Sequence, residues 1–175
     1  MLLAHRTGII KSYGKLILVY ALITLGIADC GGQLNSASSD VSTPPEQIAQ
    51  DVLIEYFSLL HSGNYQEASE LYGGSYDTLI EHNPTIDPSN HAALFKNACE
   101  NNGAQCLMIS GAPILDRISD RDFVFLVEFE RADGSIFSRG PCCGGPQPPA
   151  RSFSFDVMQI SEEEFLVMDT PIYVP

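Results

Sequence analysis

The apolar residues of this chain change period once, near Leu107, and that change restricts the fold more than any single motif does. Before it, Ile48, Val52, Tyr56, Leu59 and Leu60 recur at helical spacing up to Ser62-Gly63. After it, Phe123, Phe125, Val127 and Phe129 form one wholly apolar face. The other face runs from Val124 and Leu126 to Glu128 and Glu130, as in a strand buried at one end and solvated at the other. Thr43-Pro44-Pro45-Glu46 predicts the start of the first helix, with Thr43 as cap and Glu46 returning a hydrogen bond. Asn64 and Glu67 repeat the arrangement for a second helix from Tyr65 to Tyr72, ended by Gly73-Gly74. A third helical piece runs from about Tyr76 to His82. Asp87-Pro88 opens a fourth, whose apolar face is Leu94, Phe95 and Ala98 and which Asn102-Gly103 closes. Beyond the first strand, Ala132-Asp133-Gly134 predicts a hairpin into Ser135 to Ser138, and Phe153, Phe155 and Val157 alternate with Ser152, Ser154 and Asp156. Ser161 to Glu164 then turns into a last strand from Phe165 to about Val174. Helices first and an antiparallel meander second predict an α+β fold, with the helices on one face of the sheet.

The N-terminus bears on compartment. His5, Arg6, Lys11 and Lys15 precede an uncharged apolar run, Leu16 to Ala28, of 13 residues, while a membrane-crossing helix needs about 20. The pattern predicts an export signal over residues 1–29. Residues 30–43 form a tether rich in Ser, Asn and Asp, and residues 44–175 a single domain. Gly26-Ile27-Ala28-Asp29-Cys30-Gly31-Gly32 resembles the lipobox of bacterial lipoproteins, in which the cysteine takes a diacylglycerol, except that Asp29 stands where a small residue is usual. Cleavage by ordinary signal peptidase after Ala28 is the competing reading. Either cut removes three cations, Arg6, Lys11 and Lys15, and at most one acid, deepening a formal charge of −13. Such a charge repels phosphate backbones, which argues against nucleic acid as a partner.

Removing Cys30 leaves Cys99, Cys106, Cys142 and Cys143, an even set in an exported chain, which predicts two disulfides among three connectivities. Adjacent cysteines pair poorly with each other, which favours Cys99 and Cys106 each bonding one of Cys142 and Cys143. A local bridge from Cys99 to Cys106, with a vicinal pair beside it, is the alternative. Zinc is disfavoured because structural sites place two to four residues between paired ligands, whereas Cys142 and Cys143 abut and six residues separate Cys99 from Cys106. A catalytic cysteine lacks a histidine nearby in sequence. Asp116, Asp120 and Asp122, like Glu162 to Glu164, lack the ligand register of a calcium loop and read as solvated turns. No metal and no other cofactor is expected.

Residues 52–72, VLIEYFSLLHSGNYQEASELY, resemble the opening of the nuclear transport factor two-like superfamily, which includes ketosteroid isomerase-like and SnoaL-like proteins. Gly63-Asn64-Tyr65-Gln66-Glu67-Ala68 matches its second-helix motif, and the chain as a whole is similar to small bacterial lipoproteins carrying such a domain. The resemblance implies a strongly curved sheet closing over a cone-shaped pocket. It also implies an Asp, His or Tyr inside the cone where catalysis occurs. Tyr56, Tyr72, Tyr76, His91 and Asp169 are the candidates, although Tyr56 and Tyr72 at helical spacing also fit plain core positions. His61 and His82 fall near helix ends, where an imidazole caps carbonyls or lies in solvent. No Ser-His-Asp signature, phosphate loop or HExxH arrangement occurs. The expectation is therefore a binding or interaction domain on the extracytoplasmic face of a bacterial membrane. It would be held there by its lipid and take a small apolar ligand, a peptide or another envelope protein. An isomerase, dehydratase or hydrolase working inside the cone is the alternative.

Overall fold

A computed structural model describes residues 43–140 and 148–174. The predicted signal, Cys30, most of the tether, and Cys142 and Cys143 lie outside the described residues.

Helix α1, Pro45–Ser62, buries Ala49, Leu53, Tyr56, Phe57 and Leu60 along one face. Its first turn is set by Pro44, whose ring fixes φ at −58°, and the predicted Thr43 cap is absent. It ends at Gly63, which takes φ +80° and donates its amide to the carbonyls of Leu59 and Leu60. Helix α2, Tyr65–Glu70, stops before the predicted Tyr72, because the chain there joins the sheet. Gly73 donates to the Val167 carbonyl, and Val167 donates to Leu71. Asn64 gives no side-chain cap and bonds Ser62 Oγ instead. Helix α3 spans Asp77–Glu81. Helix α4, His91–Glu100, starts later than Asp87-Pro88 predicted. Asp87 accepts from both Ser89 groups in a local turn, which leaves Asn90 Oδ1 to cap Ala93 N–H.

The strands are β1 Met108–Ile109, β2 Ile114–Ser119, β3 Asp122–Glu130, β4 Ser152–Gln159 and β5 Phe165–Val167. Among the described residues these strands all pair antiparallel, and a single parallel bridge joins Tyr72 to Val167. β3 takes β1 and β2 along one edge and β4 along the other, and β5 follows β4. The result is an α+β fold with the helices on a strongly curled, cone-like sheet. β2 is absent from the sequence expectation because all six of its residues are exposed, so no buried face imposes a period-two alternation, and its register also shifts between Leu115 and Arg117. Asp116 therefore lies in a strand, and Asp120, at φ +47°, makes the turn into β3. The predicted strand at Ser135 to Ser138 is reduced to a bridge between Glu130 and Ile136. The last strand ends at Val167, seven residues short of Val174.

Register places Phe123 opposite Val157, Phe125 opposite Phe155 and Val127 opposite Phe153, so these side chains share the concave face. α1 crosses that face. Phe57 meets Phe129 edge to face at 4.8 Å between centroids and Phe155 at 4.9 Å. Phe57, Phe125, Phe129 and Phe155 are each at most 1% exposed. At about 1.5–3 kcal/mol per buried large side chain, this aromatic block contributes strongly to the cohesion between helix and sheet.

Candidate functional site

The sequence candidates divide between a packed aromatic cluster and an exposed rim. Tyr56, from α1, is fully buried and stacks on Tyr72 at 6.2 Å. Tyr72 meets Tyr76 edge to face at 4.9 Å, and Phe95 from α4 closes the group. The Tyr72 hydroxyl donates to the Ser75 carbonyl at 2.8 Å and the Tyr76 hydroxyl to the Ser69 carbonyl at 3.4 Å. His91 is exposed and lies flat on Tyr76 at 3.8 Å. Asp169, half-buried after β5, accepts the Asp156 backbone N–H at 2.7 Å. Burial raises its pKa, that hydrogen bond lowers it, and the Asp156 charge raises it again, with a net upward shift.

Burial likewise lifts the tyrosines. Tyr56 goes well above the usual value of 10.0, with the charges of Tyr72, Tyr76 and Asp169 adding to the effect. Tyr72 also rises, and Tyr76 is pushed up to about 12. Tyr56 Oη is the one described buried side-chain oxygen or nitrogen without a hydrogen-bond partner. Asp169 is thus within electrostatic reach of Tyr56 and Tyr72, yet the phenol groups are held by backbone carbonyls or by apolar packing.

Open space lies elsewhere. A cleft of about 160 Å³ sits between α3, α4 and the chain that follows β5. Leu79, Ala98, Ala104, Pro171 and the Tyr173 ring form its apolar wall, and Thr78, His82, Asn83, Asn102 and Thr170 supply its polar groups. A second depression shares His82, Asn102 and Tyr173 with it. Neither these nor a third, shallow one from Gly63 to Glu67 and Ala92 to Lys96 has Tyr56, Tyr72, Tyr76, His91 or Asp169 in its lining.

The cleft is built by local chemistry. Gly103, at φ +79°, turns the chain after α4, and a Cβ there would collide with the Val174 carbonyl. The turn lets Ala104 N–H reach the Ala98 carbonyl at 3.0 Å and brings the Cα atoms of Cys99 and Cys106 to 5.6 Å, where they are disulfide-bonded. The expected pairing of both with Cys142 and Cys143 is therefore corrected for Cys99 and Cys106, whose bond is the local one. Gln105 donates to Ile172 and Val174 to Gly103, so the segment predicted as the end of the last strand instead walls the cleft. His61 is tied in as well, its Nδ1 lying 3.1 Å from the Cys106 carbonyl.

Beneath the cleft, buried Asn83 donates to the Leu79 carbonyl and accepts at Oδ1 from the amides of Asn97 and Asn102. Asn101 donates in turn to Asn97 Oδ1. His82 Nδ1 donates to the Thr78 carbonyl at 2.9 Å. Sequence reading missed Asn83, Asn102 and Tyr173. The available cue was the density of asparagines, Asn97, Asn101 and Asn102, at the end of α4, in excess of what a helix stop needs. Among the described residues no group of three His, Cys, Asp or Glu side chains converges as a metal ion would require, and no helix is long and apolar enough to cross a membrane. Comparison with family models, with curated proteins and with solved structures finds no match to this chain.

Proposed function

We propose that the protein is an extracytoplasmic binding domain of nuclear transport factor two-like architecture, anchored to a bacterial membrane through lipid on Cys30, that works by ligand capture and not by catalysis. The observation that carries the reading is the location of free volume. The concave face of the sheet is filled by Phe57, Phe125, Phe129 and Phe155, while the apolar cleft beside α3 and α4 stands open. The Cys99–Cys106 bond favours an oxidising compartment.

The enzymatic alternative, an isomerase, dehydratase or hydrolase in the cone, draws on one observation: the unpartnered Tyr56 hydroxyl in the same cluster as a carboxyl of raised pKa. That cluster borders none of the three cavities described.

The test is amide chemical-shift mapping of the exported, oxidised chain against a library of small neutral, anionic and cationic compounds and short peptides. Shifts grouped at Leu79, Ala98, Ala104 and Tyr173 support the reading. Shifts grouped at Tyr56, Tyr72 and Asp169, with chemical turnover of the bound compound that Asp169→Asn abolishes, would overturn it.

A further inference from the structure

The cleft constrains its occupant by size, by hydrogen-bond sense and by charge. Its volume of about 160 Å³ is that of a single ring: a dry apolar cavity of about 150 Å³ accepts benzene. Leu79 and Ala98 are nearly fully buried and Pro171 is buried, so the inner wall is apolar and fixed.

Two of the polar groups, Asn102 and His82, share one sense, while the Thr78 and Thr170 hydroxyls can donate or accept. Asn102 spends its amide N–H groups on Asn83 Oδ1 at 3.0 Å and on the His82 carbonyl at 3.5 Å, which leaves its Oδ1 to accept. His82 spends Nδ1–H on the Thr78 carbonyl, which in the neutral ring leaves Nε2 to accept. Opposite Asn102 and His82 the cleft therefore asks for a donor. No Lys or Arg lines it, so a carboxylate would enter an apolar wall without a cationic partner and is disfavoured. A full ammonium charge entering an apolar wall without a carboxylate partner is disfavoured as well.

We infer that the cleft is a binding site for an uncharged single-ring aromatic compound carrying an O–H or N–H donor, the ring against Leu79, Pro171 and Tyr173 and the donor toward Asn102 Oδ1 or His82 Nε2. The inference rests on the binding reading and names the ligand class for the same site. The Cys99–Cys106 bond and the Ala104-to-Ala98 hydrogen bond hold one wall in place before any ligand arrives, which reduces the ordering that binding requires.

The test is titration of the exported, oxidised chain with phenol, benzene and benzoate, read by amide shifts. Phenol is expected to saturate shifts at the cleft. One net hydrogen bond corresponds to about a twofold to tenfold advantage over benzene, and benzoate should give no saturable shift there. Thr78→Phe, at an exposed helical position on the rim, fills the cleft, and Tyr173→Ala, at a residue 49% exposed, removes a wall. Each should weaken phenol at least about tenfold while leaving the unfolding midpoint close to wild type. Benzoate binding in the cleft as tightly as phenol, or phenol shifts that survive both substitutions, would overturn the inference. If phenol leaves the cleft unmoved while a peptide or a charged compound shifts it, the ligand class is wrong and the binding reading survives. If no probe moves the cleft, both fall.

Discussion

Tyr56 carries a hydroxyl that folding has stripped of water without supplying a partner. An unsatisfied buried polar group costs about 1–3 kcal/mol, so Tyr56→Phe is expected to raise stability by about 1 kcal/mol in urea unfolding. A loss of that size would show that the hydroxyl has a partner. Asp169 poses the complementary case at partial burial. Its folded pKa lies above the ordinary 3.8, so the folded state holds the proton when the unfolded chain has released it. Its contribution is complete below pH 3.8 and is lost as the pH rises through the raised folded value. Asp169→Asn, which keeps an acceptor for the Asp156 amide, should flatten that fall. An unchanged stability profile above pH 3.8 would contradict the shift. Residues of this kind were half legible in the sequence. Helical spacing put Tyr56 on an apolar face, and Asp169 stood out as a carboxyl within the expected last strand, whereas it lies just after β5. The bond from the Asp156 amide to Asp169 depends on where β5 stops, which local pattern does not encode.

The elements show where sequence pattern suffices and where it fails. α1, β3 and β4 follow their periods because each buries a continuous face, so a shift of register would expose several phenylalanines at once. β2 was invisible because it buries neither face, and the α4 start was misplaced because Asp87 spends its carboxylate on Ser89. The turn from α4 to β1 was the least legible part of the site. The Cys99-to-Cys106 spacing was compatible with a local bridge, but Gly103 in the left-handed region is what closes it. Closing so short a loop contributes about 2–3 kcal/mol in the chain-entropy treatment. Replacing both Cys99 and Cys106 by Ser should lower the urea midpoint accordingly and weaken any ligand held against Ala98 and Ala104. Peptide mapping of the oxidised protein should recover these two cysteines in one linked fragment. A midpoint unchanged by the double substitution would contradict the contribution assigned to the bond.

At the scale of the molecule, the helices and the antiparallel sheet expected from the order of periods are both present, the sheet has the strong curl that the family resemblance implied, and the volume that such a curl encloses is occupied by aromatic side chains. The composition announced this indirectly. Nine phenylalanines and seven tyrosines supply enough bulk to fill a cone, but which rings point inward follows only from the register of β3 against β4. The cleft, by contrast, is made by three segments far apart in the chain, so no local pattern marks it. Anchoring is a separate property with its own prediction. Cells expressing the full chain should incorporate labelled fatty acid, and Cys30→Ala should abolish the label. Label retained in that variant would exclude Cys30 as the attachment point.

The central claim is that the cone is solid and the cleft is the open apolar site. Xenon, which enters dry apolar cavities without needing a hydrogen bond, tests it directly in pressurised crystals of the exported chain. The account predicts xenon density in the cleft against Leu79, Ala98 and Pro171. Density between α1 and the sheet, among Phe57, Phe125 and Phe155 or beside Tyr56, would contradict it.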